Sequence, residues 1–213
     1  MTTTIGLIQV KGGAGRSTLA TNLAGELSKK GPTVLIDADI PQGTSASWFA
    51  VRRDAGRAGN LIADTARDHR ELIAKVARHQ ASDFIVLDGP PRLAEMTRAI
   101  LMLADKCLLP VGASLAEVWA TSDVLAIIEE ARRVREIDAR IVWTRHRPHT
   151  NLARDLAAQA KAELGLPIMA STLGLRVAYA EALGTGLTVA EGADAAAAAE
   201  IHALVAELVC VVQ

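Results

Sequence analysis

Aromatic residues make up only 3% of this 213-residue chain, and cysteines number just two. So few rings exclude the stacking platforms on which many single-strand binders lay bases. Cys107 and Cys210 sit in neither a C-x-x-C pair nor a metal-ligand spacing, which argues against a disulfide framework and a structural zinc site. The histidines, at 69, 79, 146, 149 and 202, form no i, i+4 metal pair. No apolar run approaches the roughly 18 residues that a membrane-spanning helix needs, and MTTTIGLIQV lacks the basic flank and cleavage site of a signal peptide. The chain therefore reads as cytoplasmic. An excess of one charge is missing too, since 23 Lys and Arg oppose 24 Asp and Glu and leave −1 at pH 7. What is plentiful is apolar residue, 50%, beside 22% charged, a balance that builds a globular core and excludes a disordered or fibrous chain.

No Pro/Gly/Ser-rich linker and no repeat divides the sequence, so residues 1–213 read as one domain. Short apolar runs suggest strands over 4–10, 33–37, 84–88, 106–111, 139–144 and 168–172, several apolar at successive positions as in strands covered on both faces. Helical patterns lie between them, at about 17–30, 61–80, 92–104, 117–134, 151–164 and 194–210. This alternation predicts an α/β fold, a mostly parallel twisted sheet with helices on both faces. Ligands of such sheets bind at the carboxyl ends of the strands, so the residues just after each strand carry the chemistry.

After the first strand comes Lys11-Gly12-Gly13-Ala14-Gly15-Arg16-Ser17-Thr18, leading straight into a helical pattern. Glycines let the backbone curl until its N–H groups and the helix N-terminus face an anion, and a Ser or Thr at the helix start offers a hydroxyl to Mg²⁺. The second strand ends Asp37-Ala38-Asp39, followed by Ile40-Pro41-Gln42-Gly43. Carboxylates at i and i+2 at a strand mouth point the same way, toward the crevice. The third run, Phe84 to Leu87, is closed by Asp88 and followed by Gly89-Pro90-Pro91.

The octapeptide resembles the deviant Walker A motif, K-G-G-x-G-K-[ST]-[ST], of the ParA/MinD superfamily of P-loop ATPases. Asp37 to Gly43 is similar to its D-x-D-P-Q-G switch, and Phe84 to Asp88 to its Walker B strand. Leu109 to Thr121 resembles P-V-x-x-S-x-x-D-x-x-A-T, Arg176 to Ala182 resembles R-x-x-Y-x-E-A, and Gly186 to Glu191 resembles G-x-T-V-x-E, so the likeness runs along nearly the whole chain. It implies ATP and Mg²⁺ as ligands, with Lys11 reaching the phosphates of a partner copy and Asp39 orienting the attacking water. By the same likeness Gly12, Gly13, Ala14, Gly15, Arg16, Ser17 and Thr18 would hold the nucleotide, and Ser17 and Asp88 the metal. The implied function is an ATP-dependent homodimer that binds double-stranded DNA nonspecifically and segregates plasmid, chromosome or other cargo through a ParB-like or other adaptor. That activity would associate it with the nucleoid.

Four departures stand out. Arg16 replaces the P-loop lysine, a compact ammonium exchanged for a planar fork; the alternative reading is therefore a nucleotide-gated dimeric binding module with weak or no hydrolysis, and Arg16→Lys is expected to raise turnover. Ile40 is an extra residue in the first switch, Gly89 stands where the family usually has Thr, and Thr144 stands where it has an Asn that helps read adenine. Residues 131–161 carry eight Arg and Lys against three acids, a local excess suited to a polyanion. Within and near it, Arg145, Arg147, Arg154 and Arg176 are the expected DNA contacts, whereas Arg132 to Arg135 read as a solvated helix paired, for instance, through Arg132 and Glu136. No helix-turn-helix precedes Lys11, and the Ala-rich end over 194–210 lacks Lys and Arg, which favours a packed helix over a membrane-surface one.

Overall fold

The computed structural model describes residues 1–91, 94–146 and 163–209. Five of the apolar runs become strands β1 (Thr3–Leu7), β2 (Thr33–Asp37), β4 (Phe84–Asp88), β5 (Lys106–Gly112) and β6 (Ala139–Thr144). With β3 (Leu61–Thr65) they form one sheet of order β3-β2-β4-β1-β5-β6, and every pairing is parallel. Parallel neighbours need crossovers, and helices supply them: α1 (Arg16–Leu27), α2 (Thr44–Asp54), α3 (His69–Arg78), α4 (Ala94–Leu103), the short α5 (Leu115–Trp119) and α6 (Ser122–Arg132). The chain then continues into α7 (Val177–Thr185) and α8 (Ala195–Val209).

Alternation along the strands sorts the core into two layers. Val34, Ile36, Ile85 and Leu87 face Leu72 and Val76 of α3, Ile100 of α4 and Ile128 of α6, while Ile5, Leu35, Val86 and Leu108 face Leu19 and Leu23 of α1 and Ile201 and Leu204 of α8. Both faces are covered, which is why the central strands are apolar at successive positions. The expected sheet, sandwiched by helices, is the fold observed.

Several elements differ from the reading of the sequence. The helix expected over 61–80 is a strand followed by a helix: Leu61–Thr65 pairs with β2 at the sheet edge, and Asp68 then caps α3 by accepting from the Glu71 N–H at 2.9 Å. The helix expected over 117–134 is broken at Ala120–Thr121, where the Thr121 hydroxyl donates back to Glu117 O and accepts from Gln9 Nε2. The sixth expected strand, 168–172, is not a strand: it meets β6 at the isolated bridge Ile141–Ile168, and beyond both segments a second bridge joins His146 to Gly174. Helices α2 and α7 were not anticipated. The terminal helix packs as expected, burying Ala197, Ile201, Leu204, Val205 and Leu208. The helix expected over 151–164 falls almost entirely outside the described residues, as do Arg147, Arg154, His149 and Cys210.

Candidate functional site

In this strand order β1 is central, with β2 reached on one side and β5 on the other, so the crevice opens at the carboxyl ends of β1 and β4. The loop after β1 fills it. Gly13 and Gly15 take φ of +76° and +97°, conformations that an L side chain resists, and Gly15 caps α1 with no side-chain hydrogen bond and no acid in the first turn. The first N–H groups of α1 thus have no side-chain cap and no acid in their own turn, the condition under which a helix start takes an anion. Thr144, at the end of β6, donates its hydroxyl to Ala14 O at 3.0 Å and packs on Gly15, pinning the loop from the far side.

The loop walls a cavity of about 450 Å³ lined by Gly12 to Thr18, Asp39, Gln42, Thr44 and Pro91. A smaller one, about 150 Å³, adjoins it at Gly13, Gly15 and Thr18 and extends past Thr144 and Arg145 to Leu173–Arg176 and Tyr179. The structure therefore brings the expected nucleotide residues together with Asp39. Gln42 and Thr44 join them; the D-x-D-P-Q-G resemblance contained the first as an unassigned position.

The three acids divide their work. Asp37, expected to point into the crevice, instead accepts from the N–H groups of Asp39 and Ala46, both at 2.9 Å, and so fixes the switch turn and the start of α2. Asp39 lines the cavity. The turn absorbs the extra Ile40 by leaving it exposed, and Gly43, at φ +56°, restores the entry to α2. Asp88 is completely buried; burial pushes its carboxyl up to about 6, with the Ser45 hydroxyl opposing the rise. Ser45 Oγ donates to Asp88 Oδ2 at 2.5 Å, whereas Oδ1 has no hydrogen-bond partner among the described residues. Burial also raises Asp37 and Asp39.

Arg16 is the basic group among these acids, and burial lowers its pKa against the charges of Asp88 and Asp39. Its guanidinium is held by backbone: Nε donates to Gly89 O at 2.8 Å, and Nη1 donates to Gln9 O at 2.6 Å and Lys11 O at 2.9 Å. Two carboxyls, Asp88 and Asp39, act on this one guanidinium and leave an excess of negative charge. With the hydroxyl of Ser17, the orphaned Asp88 oxygen makes an all-oxygen donor set that suits Mg²⁺. Among the described residues no group of three or more His, Cys, Asp or Glu could hold a metal ion. Ser17 and Asp88 would accordingly share Mg²⁺ with water and phosphate oxygens, the usual habit of this ion.

Lys11 turns away from its own loop. Its ammonium donates to Glu117 Oε1 at 2.6 Å, and Arg145 Nη2 reaches the same oxygen at 3.0 Å. The sequence marks Glu117 only as the acid of the segment that resembles P-V-x-x-S-x-x-D-x-x-A-T; its pairing with Lys11 is visible only in the structure. Arg145 adopts φ +52°, rare for a side-chain-bearing residue. Arg176 donates to Glu200 at 2.9 Å and lies 3.6 Å from Asp194, so both described DNA candidates are ion-paired beside the smaller cavity. Glu200 also accepts from Tyr179 and the Gly174 N–H, which gives the R-x-x-Y motif a role in anchoring α7 to α8. Arg132 pairs with Glu129, three residues back, rather than with Glu136.

A central phosphate loop between β1 and α1, acids at the tips of β2 and β4, and an all-parallel sheet define a P-loop NTPase fold. The chain belongs to the family described as CobQ/CobB/MinD/ParA nucleotide binding domain, whose model matches residues 5–189. The maintenance of carboxysome distribution protein A of Halothiobacillus neapolitanus is 30% identical over 97% of this chain and 96% of its own. The chromosome-partitioning ATPase Soj of Thermus thermophilus is 28% identical over 95% and 93%. Among solved structures, an ATP complex of a McdA variant from Cyanothece superposes with a TM-score of 0.80 at 18% identity, covering 100% of this chain and 98% of that one. The relatives place the chain among ParA/MinD-type partition and positioning ATPases. Among the described residues no helix is long and apolar enough to cross a membrane.

Proposed function

We propose that this chain binds ATP with Mg²⁺, dimerises around it, and hydrolyses it slowly to position a cargo on nonspecifically bound double-stranded DNA. The observation that carries the reading is the cavity itself: an uncapped helix start and curled loop on one wall, Asp39 on another, and a buried carboxylate oxygen without a partner beneath. In it Gly12 to Gly15 would receive phosphates on backbone N–H groups, with Arg16, Ser17 and Thr18 at the helix start. Ser17 and Asp88 would hold the metal, which when bound neutralises charge on the phosphate oxygens. Asp39 would orient the attacking water. Lys11, turned from its own cavity onto Glu117, is free to exchange that carboxylate for a partner's phosphate.

Arg145, Arg147, Arg154 and Arg176 would supply the DNA face, and a ParB-like or other adaptor the link to cargo. The names of the relatives, carboxysome distribution and chromosome partitioning, support positioning as the output. The second reading, a nucleotide-gated module that hydrolyses poorly, is favoured by one fact: three backbone carbonyls already occupy the Arg16 guanidinium. Light scattering with ATP–Mg²⁺ or ADP–Mg²⁺ tests the dimer. The parent should double in mass with ATP alone, and Lys11→Ala should remain monomeric; a variant that dimerises like the parent would remove the cross-dimer role.

A further inference from the structure

Two of the departures from the family pattern touch. Arg16 stands in place of Lys and Gly89 in place of Thr, 73 positions apart, and the Nε of one donates to the carbonyl of the other at 2.8 Å in a buried setting. Gly89 lies hard against β1: its N–H donates to Leu7 O at 3.1 Å, and a Cβ built on it would sit 2.6 Å from that oxygen and 2.8 Å from Ile100 Cδ1. A threonine there would push the segment off β1 and take its carbonyl away from Arg16. The glycine is thus a condition for the arginine's third anchor.

We infer that Arg16 and Gly89 form one unit, in which Arg16 is a positioning residue that ties the phosphate loop to the Gly89-Pro90-Pro91 segment at the end of β4. The inference deepens the proposed function and rests on it. A lysine's three donors radiate from one nitrogen on a flexible stem, which cannot stand at both the Nε position that serves Gly89 and the Nη1 position that serves Gln9 and Lys11, whereas the planar fork does so in a fixed geometry. Among the described residues Nη2 is the guanidinium nitrogen without a protein acceptor, so one edge of the group remains for a phosphate oxygen while the other holds the backbone. The expectation from sequence alone, that Arg16→Lys speeds turnover, is reversed: lysine alone vacates the Gly89 carbonyl and frees the loop from Pro90-Pro91.

The test is a cycle of the parent, Arg16→Lys, Gly89→Thr and the double variant, each scored for Mg²⁺-ATP affinity and single-turnover hydrolysis. Arg16→Lys should slow hydrolysis about tenfold or more, the scale of a misplaced phosphate loop, with affinity changed by less than about threefold. Such a split separates positioning from mere folding, which would lower both. The double variant, with the outward segment and the lysine that suits it, should return to within about threefold of the parent, a non-additive result. Additive losses, or faster hydrolysis by Arg16→Lys alone, would overturn the inference. Arg16→Lys introduces no clash, so its rate decides the question even where Gly89→Thr fails to fold. A parent that binds no Mg²⁺-ATP would refute the proposed function itself, a result distinct from a binding, hydrolysing parent whose variants combine additively.

Discussion

Replacing Glu191 by Ala should cost the fold about 3 kcal/mol, although Glu191 lies in a short turn far along the chain from any strand. Arg52, on α2, is almost wholly buried and donates to both Glu191 oxygens, at 2.7 and 2.8 Å, and to Gly186 O at 3.0 Å. Glu191 also accepts from the Thr188 N–H at 2.8 Å, and Thr188 in turn donates to Glu26 of α1. Removing one partner of a buried pair leaves an uncompensated charge and costs ~3–5 kcal/mol. The Glu191 side chain is 23% exposed, so water relieves part of that cost and sets the value at the lower end. At ~2–4 °C per kcal/mol for a chain of this size, the melting temperature should fall by ~6–12 °C. Urea unfolding supplies the free energy, with an unchanged m-value as the sign that the unfolded state is unaffected. Arg53→Ala is the control, since its pair with Asp54 is 63% and 70% exposed and should contribute no more than ~0.5 kcal/mol. A loss below ~1 kcal/mol for Glu191→Ala would refute the view that the terminal motif clamps α2, and with it the switch turn, against α1.

Asp88 makes pH a probe of the proposed metal site. Its native carboxyl keeps a proton up to about 6, one that the unfolded chain releases near the ordinary carboxylate value, so this group lowers stability as pH rises through that window. Mg²⁺ needs the ionised form, and Mg²⁺-dependent tightening of ATP binding should therefore grow from pH 5 to pH 7; a flat titration would remove Asp88 from the site. Thr144→Val keeps the shape of the side chain but deletes the bond to Ala14 O, and should cost ~1 kcal/mol in urea unfolding, weakening ATP binding as the loop loosens. For DNA, replacing Arg145, Arg147, Arg154 and Arg176 by Ala should weaken binding to unrelated duplexes alike. Each lost phosphate contact should lower the slope of log affinity against log salt by ~0.9, and an unchanged slope by anisotropy would put the face elsewhere.

How much of this was legible follows from where each residue sits. Strands β2, β4 and β5 announce themselves because both their faces are covered and most of their residues are apolar. Edge strand β3 does not, because Ile62 is exposed and Asp64 and Thr65 are only partly covered; its five residues merged with the following helical period, although the cap Asp68 marked the boundary. Helix α2 lacks a sequence signal of its own because it starts at the N-cap Gly43, with no side-chain cap, and Asp37, nine residues before Ala46, takes the Ala46 N–H. The phosphate loop was legible residue by residue, because glycine spacing there is dictated by backbone conformation. The partners of Lys11 and Arg16 were not: the pairing of Lys11 with Glu117 spans 106 positions, and a carbonyl such as that of Gly89 leaves no mark on the sequence.

The central claim is that the cavity above Asp88 is a Mg²⁺-ATP site, and a calorimetric titration of ATP into the parent and into Asp88→Asn, each with and without Mg²⁺, tests it most directly. The parent should bind one ATP per chain, more tightly with Mg²⁺; Asp88→Asn should keep the metal-independent part and lose the gain from Mg²⁺. No binding by the parent, or an undiminished Mg²⁺ gain in Asp88→Asn, would contradict the account.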